Sequence, residues 1–224
     1  MARLTARDYV NDVKLALGGT DDSLVSETQL LRWINAAYQL DVAASYDFAE
    51  LDATETKAAT ASQAYIDLVS TDVMKIKEIT DTTNDVLLRE INRSYYDELI
   101  QGGADTGNAV FWFQAGVSSS TTPRLYLWPT PDSADSFTIS YKKKPADLVL
   151  LPTPTSTILP DLWDDVITAF AVVRGARFTG AKEALAIWRE ELKPLVAKAM
   201  DASLRSMAVK RILLSPVLQL VGSR

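Results

Sequence analysis

The sequence contains no cysteine and no histidine. Without cysteine, the chain can form neither disulfides nor thiolate metal sites. Without histidine, it lacks the base of Ser-His-Asp and Cys-His nucleophiles, the commonest metal ligand and the usual pH switch. Any catalysis would have to use carboxylates, lysine, tyrosine, serine or backbone amides. These two absences exclude most common hydrolase and metalloprotein sites.

The sequence also lacks a long apolar run and an excess of basic residues. Its longest apolar stretch, around Ile167–Val173, falls well short of the roughly 20 residues that span a bilayer. The N-terminus has no signal-peptide pattern, so we expect a protein made in the cytoplasm, without a membrane. The net charge is -6 and the pI is near 4.8, which argues against a general nucleic-acid binder. A chain of 224 residues, 47% of them hydrophobic, predicts a folded protein of one domain or two small ones.

The charge is distributed unevenly along the chain. Residues 1–100 hold nine Lys and Arg against eighteen Asp and Glu, whereas residues 201–224 hold four against one. Solvated faces of helices and loops would explain the acidic part. Charge complementarity between copies of the chain, or two partners of opposite charge, would explain the split as well. Both interpretations remain open from sequence alone.

Two helices are predicted at the N-terminus. Thr5 and Asp8 form a T-x-x-D start signal, and the apolar spacing that follows predicts a helix to Leu17. Ser26 and Gln29 form a second capping-box pattern, which predicts a helix from about 27 to 45. A short polar linker joins the two, so we expect them to pack as a helical hairpin.

The middle of the chain has the alternation of β-strands. Residues with alternating hydrophobicity are bounded by polar, Gly or Pro turns, and one helical segment begins at a possible Asn92 cap and ends at two glycines. The predicted strands are a run around Met74–Ile79, then Ala109–Gly116, Arg124–Pro129 and Ser136–Lys142, and the predicted helix is Ile91–Ile100.

Two further helices are predicted near the C-terminus. The first begins at Pro160 or Asp161 and ends near Gly180, and the second runs on to about Met207. Because proline removes a backbone hydrogen bond and clashes with the preceding turn, we expect Pro194 to kink or break the second helix.

The last sixteen residues, Val209–Arg224, are apolar and basic and contain no acid. Pro216 and the closing residues Gly222–Arg224 argue against a simple helix and predict an extended tail here. An exposed apolar tail is a liability on a monomer, so we predict that it docks on another subunit; folding back on its own core is the alternative. The candidate partner-binding residues are Lys210, Arg211, Leu213, Leu214, Val217, Leu218 and Leu220.

The order of elements indicates an α+β protein. We expect the terminal helix pairs to form one helical bundle, with the β-rich part as an insertion in the middle and the tail extended. The predicted divisions are 1–50 and 156–208 for the bundle, 51–155 for the β-rich domain with one short helix, and 209–224 for the tail.

Two charged clusters are candidate sites of chemistry. Asp161, Asp164 and Asp165 have the oxygen ligands of a divalent cation, but acids in the first turn of a helix are explained by the helix dipole, which we favour. Lys142–Lys144 follow a strand and would suit phosphate contact, although a solvated strand edge is the more ordinary explanation. We therefore predict no catalytic residue, metal ligand or cofactor.

The order of elements resembles the head-to-tail adaptor (connector) proteins of tailed bacteriophages, the class called tail tubular protein A in short-tailed phages. The resemblance covers nearly the whole chain in the expected order. The stretches that carry it are Thr5–Leu17 with Ser26–Ala44, Leu125–Pro131, Tyr141–Leu148 and Leu159–Ile167.

The resemblance implies a structural protein of the virion and not an enzyme. Such adaptors form a ring, usually of twelve copies, beneath the portal protein, extend the DNA channel and dock the tail nozzle or other tail proteins. It implies a place in the neck or tail of the virion, reached from the host cytoplasm during assembly. DNA would pass at ejection without specific binding, which suits an acidic wall.

Other functions remain open from the sequence. One is another phage tail component, such as a nozzle or fibre-joining protein. A second is a carboxylate- or metal-dependent enzyme, such as a nuclease or a glycosidase. A third is a binding module unrelated to phage.

Overall fold

The computed structural model describes the backbone of residues 3–18, 25–103, 105–117 and 122–219, and the side chains of these residues except 116–117 and 206–219. The fold is α+β, as predicted. The chain divides into two compact units. We call residues 1–47 with 146–224 the helical unit, and residues 48–145 the sheet unit. The α-helices are α1 (Ala6–Ala16), α2 (Glu27–Ala36), α3 (Arg93–Gln101), α4 (Asp164–Thr179) and α5 (Lys182–Gln219).

The first two helices begin at the caps that the sequence predicts. The Thr5 backbone N–H donates to the Asp8 carboxylate at 2.8 Å, and the Thr5 hydroxyl accepts from the Asp8 N–H, which completes the capping box of α1. The Ser26 hydroxyl accepts from the Gln29 N–H at the start of α2. A turn of π-helix, Ala37–Ala43, continues α2, so helical backbone covers most of the predicted range of 27 to 45.

Helix α4 is the core of the helical unit. It is buried on most sides and contacts α1, α2 and α5. Neighbouring side chains approach α4 closely at Gly175, where an added Cβ would lie 2.7 Å from Leu17 Cδ1 and 2.9 Å from Trp33 Cζ3. Gly180 ends the helix with φ of 74°, a left-handed conformation that glycine adopts readily. The absence of a side chain at 175 therefore sets how closely α1 and α2 pack on α4.

Helix α5 continues beyond its predicted end. It runs through Pro194 without ending and reaches Gln219, so the prediction of an extended tail from 209 is wrong as far as 219. Residues 220–224 lie outside the described residues. A proline costs a helix one backbone hydrogen bond locally, and no glycine or proline interrupts the sequence between Pro194 and Pro216. The many remaining hydrogen bonds of the helix outweigh the loss at each proline.

The sheet unit holds a seven-stranded mixed sheet in the order β1-β7-β3-β4-β5-β6-β2. Only β4 and β5 pair in parallel among the strands of the described residues. Predicted strands appear as β3, β5, β6 and β7, and the predicted helix as α3, whose Asn92 side chain accepts from the Tyr95 N–H at 2.8 Å. The strands are β1 (Asp52–Ala58), β2 (Tyr65–Asp67), β3 (Val73–Asp81), β4 (Val86–Glu90), β5 (Phe111–Val117), β6 (Pro123–Trp128) and β7 (Ser136–Lys143).

Strand β7 pairs on both sides, with β1 and β3, and alternates between core and surface. Its residues Phe137 and Ile139 are fully buried and join Ile79, Leu125 and Leu127 in one apolar cluster. The period-2 pattern of the sequence is thus the pattern of burial in the sheet.

Residues 146–155 belong with the helices, whereas the sequence placed the end of the β-rich domain at 155. The Asn35 side chain donates to the Leu148 carbonyl at 3.0 Å and accepts from the Leu148 N–H at 2.7 Å. The Ala6 N–H donates to the Thr155 carbonyl at 2.7 Å. Hydrogen bonds to backbone groups leave no pattern of apolar residues in a sequence. The apolar, proline-bearing segment therefore did not show that it belongs with the helices.

Candidate functional site

The three carboxylates at the start of α4 occupy three different environments. Asp164 is 6% exposed and accepts from the hydroxyls of Tyr9 and Thr157. Asp161 forms an ion pair with Arg3 at 3.5 Å, and Asp165 is exposed. Across the described ranges, no cluster of three or more acidic residues is suited to a metal ion. Asp164 and Asp165 lie in the first turn of α4, where the helix dipole favours acids, and Asp164 and Asp161 also bind partners within the helical unit.

The Tyr9–Asp164 hydrogen bond joins α1 to α4. Burial raises the pKa of Asp164, and the Tyr9 donor opposes that rise by stabilising the ionised carboxylate. Burial and the neighbouring carboxylate raise the pKa of Tyr9, so its hydroxyl keeps the proton that it donates. Nearby, the Tyr38 hydroxyl accepts from the Ile158 N–H at 3.1 Å. The Tyr9 bond thus ties α1 to α4, and the Tyr38 bond ties the π-helical turn to the segment that precedes α4.

A second polar tie fixes the π-helical turn. The Arg174 guanidinium donates two hydrogen bonds to the Asp41 carboxylate, each 2.7 Å long. The hydrogen bonds that Arg174 donates to Asp41 raise the pKa of Arg174. A bidentate pair of this kind constrains orientation as well as distance, because each of the two donating nitrogens must bond its own carboxylate oxygen.

The lysine run does not form the solvated strand edge that we favoured. Lys142 is 6% exposed and lies on β7, an inner strand of the sheet, with its ammonium 5.8 Å from the centre of the Phe48 ring. Lys144 alone of the three is exposed. The error arose because three lysines in a row suggest an edge, whereas the long aliphatic stem of lysine also covers apolar surface inside a sheet.

The predicted partner-binding residues fall on the last turns of α5. Lys210, Arg211, Leu213, Leu214, Val217 and Leu218 lie in its helical backbone, and Leu220 lies outside the described residues. Their side chains are beyond the described part of the chain, so their role stays a prediction.

A groove of about 520 Å³ lies between α1, α4 and α5. We call it the acidic groove. No sequence pattern indicates this groove, because Trp188 and Leu195 have the helical spacing of ordinary core residues, and Leu15 lies in a helix whose apolar residues have the same spacing. Its lining residues are Asp12, Leu15, Ala16, Asp165, Thr168, Trp188, Glu191 and Leu195.

The helical unit also exposes large apolar side chains. Leu15 is 76% exposed and Phe178 is 69% exposed, where its ring packs on Trp33 at 5.4 Å. Leu204, Ile187 and Leu40 are each more than half exposed. Single exposed apolar residues are normal on a protein surface. Of these five side chains, Leu15 is the one that also lines the acidic groove.

Comparison with known families gives one finding that covers most of the chain. A family model described as SU10 adaptor protein matches residues 4–212. A comparison with curated proteins gives no match. None of the helices in the described residues combines the length and apolarity needed to cross a membrane.

Proposed function

The chain belongs to the SU10 adaptor protein family, and from this premise we propose that it forms a ring of twelve copies beneath the portal of a tailed bacteriophage. The family match supports the role of a phage structural adaptor, which interacts with other head and tail proteins of the virion. The family match over residues 4–212 is the observation that carries the proposal.

In this proposal the helices of the helical unit form a bundle that stacks against neighbouring copies. Exposed apolar residues on α1 and α5, such as Leu15 and Ile187, support such contacts. The C-terminal residues named above, from Lys210 to Leu220, contact the portal or an adjacent copy. The ring extends the DNA channel and gives the tail nozzle or another tail protein a surface on which to dock.

The electrostatics of the chain suit a channel component. At a net charge of -6, the protein has little attraction for phosphate, so DNA passes at ejection without being held. The same charge repels one free copy from another, so we propose that the protein stays monomeric in the host cytoplasm until it meets the portal. It then remains in the neck or tail of the virion.

Mass photometry tests this proposal. The purified protein is measured alone, and then with rings of the portal protein from the same phage. We expect monomers alone and a mass increase of about twelve copies per portal ring. No increase on portal rings would contradict the proposed function, and stable rings without any partner would contradict the monomeric precursor.

A further inference from the structure

The acidic groove combines an apolar floor with a rim of one charge. Leu15, Trp188 and Leu195 supply apolar surface, and Leu15 is largely exposed in the isolated chain. Asp12 and Glu191 are exposed acids of the rim, and none of the described lining residues is a cation. A groove of this kind fits a segment that is both apolar and basic.

The rim acids also crowd one another. Partial burial raises the pKa of Asp12, and the charges of Asp8 and Asp165 raise it further. A cation that entered the groove would offset this repulsion, because an opposite charge within a few ångströms favours the ionised carboxylate.

The C-terminal part of the chain has the complementary chemistry. Residues 209–224 contain Lys210, Arg211 and Arg224 and no acid. Apolar residues recur there at the spacing of one face of a helix. In the sequence these are Val209, Ile212, Leu213, Pro216 and Val217.

This segment is too far from the groove of its own chain. Trp188, Glu191 and Leu195 line the groove from the first half of α5, and the helix continues without interruption to Gln219. At 1.5 Å per residue, Lys210 lies about 22 Å beyond Leu195 along the helix axis. A continuous helix does not fold back on itself, so this segment can reach only the groove of another copy.

We propose that the acidic groove of one copy binds the C-terminal segment of α5, residues 209–219, from a neighbouring copy. The apolar residues of the segment pack on Leu15 and Trp188, and Lys210 and Arg211 approach the acids of the rim. This proposal rests on the proposed function, since a ring supplies the neighbour. In such a ring, the basic C-terminal segment of each copy would contact the acidic groove of the next copy.

Cysteine cross-linking tests the contact, because the natural chain contains no cysteine that would interfere. Two separately purified variants, Glu191→Cys and Lys210→Cys, are given tags of different size, mixed, assembled on portal rings and mildly oxidised. We expect a disulfide-linked heterodimer on denaturing gels. A matched pair, in which exposed Thr71→Cys replaces Glu191→Cys, is expected to remain uncoupled.

The outcomes separate the two proposals. Rings of normal mass without the heterodimer would overturn the groove contact and leave the proposed function intact. A disulfide between Lys210→Cys and a cysteine scanned over the portal surface, instead of the groove, would also overturn it. Failure of the unmodified protein to join portal rings would overturn both.

Charge reversal gives an independent test. Glu191→Lys or Lys210→Glu alone places like charges in contact, and we expect the protein concentration at half-assembly to rise about tenfold. The double variant Glu191→Lys/Lys210→Glu restores opposite charges and should return close to the natural value. Equal effects of the single and double variants would contradict a contact between these two residues.

Discussion

Replacing Tyr9 with phenylalanine removes one hydroxyl from the interior of the helical unit and leaves the ring in place. In the natural protein this hydroxyl donates to the carboxylate of Asp164, which is 6% exposed. Hydrogen bonds to charged groups contribute about 1.5–3 kcal/mol, and a buried acceptor left short of a donor bears its desolvation cost. We therefore expect Tyr9→Phe to lower the free energy of unfolding by about 2 kcal/mol near neutral pH.

The loss should depend on pH in a defined direction. Burial raises the pKa of Asp164 in the folded protein above its ordinary value of 3.8, so folding favours the protonated form, and the stability from this group is lost as pH rises through the folded pKa. The Tyr9 hydroxyl stabilises the ionised form and limits that loss. Without it the pKa of Asp164 rises further, so the difference between variant and natural protein is largest at pH 8 and shrinks toward pH 4.5.

Urea unfolding followed by tryptophan fluorescence measures this difference. The other carboxylates titrate in both proteins, so their contributions cancel when the two free energies of unfolding are subtracted at each pH. Tyr38→Phe is the matched control, because the Tyr38 hydroxyl accepts a hydrogen bond from an uncharged backbone N–H. We expect this variant to lose about 1 kcal/mol of unfolding free energy, independent of pH. A Tyr9→Phe loss below about 0.5 kcal/mol, or one of equal size at pH 4.5 and pH 8, would refute the reasoning.

Three further substitutions test the packing that positions the helices. Gly175→Ala should lower the melting temperature despite the better helix propensity of alanine, since the new Cβ would lie 2.7 Å from Leu17 Cδ1. Overpacking of this kind costs about 1–3 kcal/mol of stability. An unchanged or raised melting temperature in calorimetry would contradict this packing. Asp41→Asn breaks the two-bond ion pair with the partly exposed Arg174. After allowance for solvent screening we expect the free energy of unfolding to fall by about 1–2 kcal/mol, and by less in high salt. Urea unfolding that shows no loss of stability at low salt would exclude a stabilising pair. Asn92→Ala removes the cap of α3 and should cost about 1 kcal/mol by urea unfolding, whereas Asn92→Ser should retain most of the stability; equal losses would contradict capping.

Local signals in the sequence predicted much of the secondary structure. The box at Thr5 and Asp8 and the cap at Asn92 each satisfy backbone groups within three residues, so the sequence alone contains the information. Alternation in β7 works similarly, because one buried face selects every second residue.

The environment of a side chain could not be predicted from the sequence where it depends on residues far away in the chain. Asp164 looked like one of three equivalent acids, yet the hydroxyl of Tyr9, 155 positions earlier, makes it a buried acceptor. Lys142 looked exposed because its inner position in the sheet depends on strands far away in sequence. The acidic groove needs three helices to bring its residues together, and no periodicity within one helix reveals it.

The most direct test of the central claim is a cryo-EM map of the virions of the phage that encodes this protein, refined around the tail axis. The account predicts a ring between portal and tail, with density for the helical unit and the sheet unit repeated around the DNA channel. Virions that lack the protein, or density for it outside the portal–tail junction, would contradict the account.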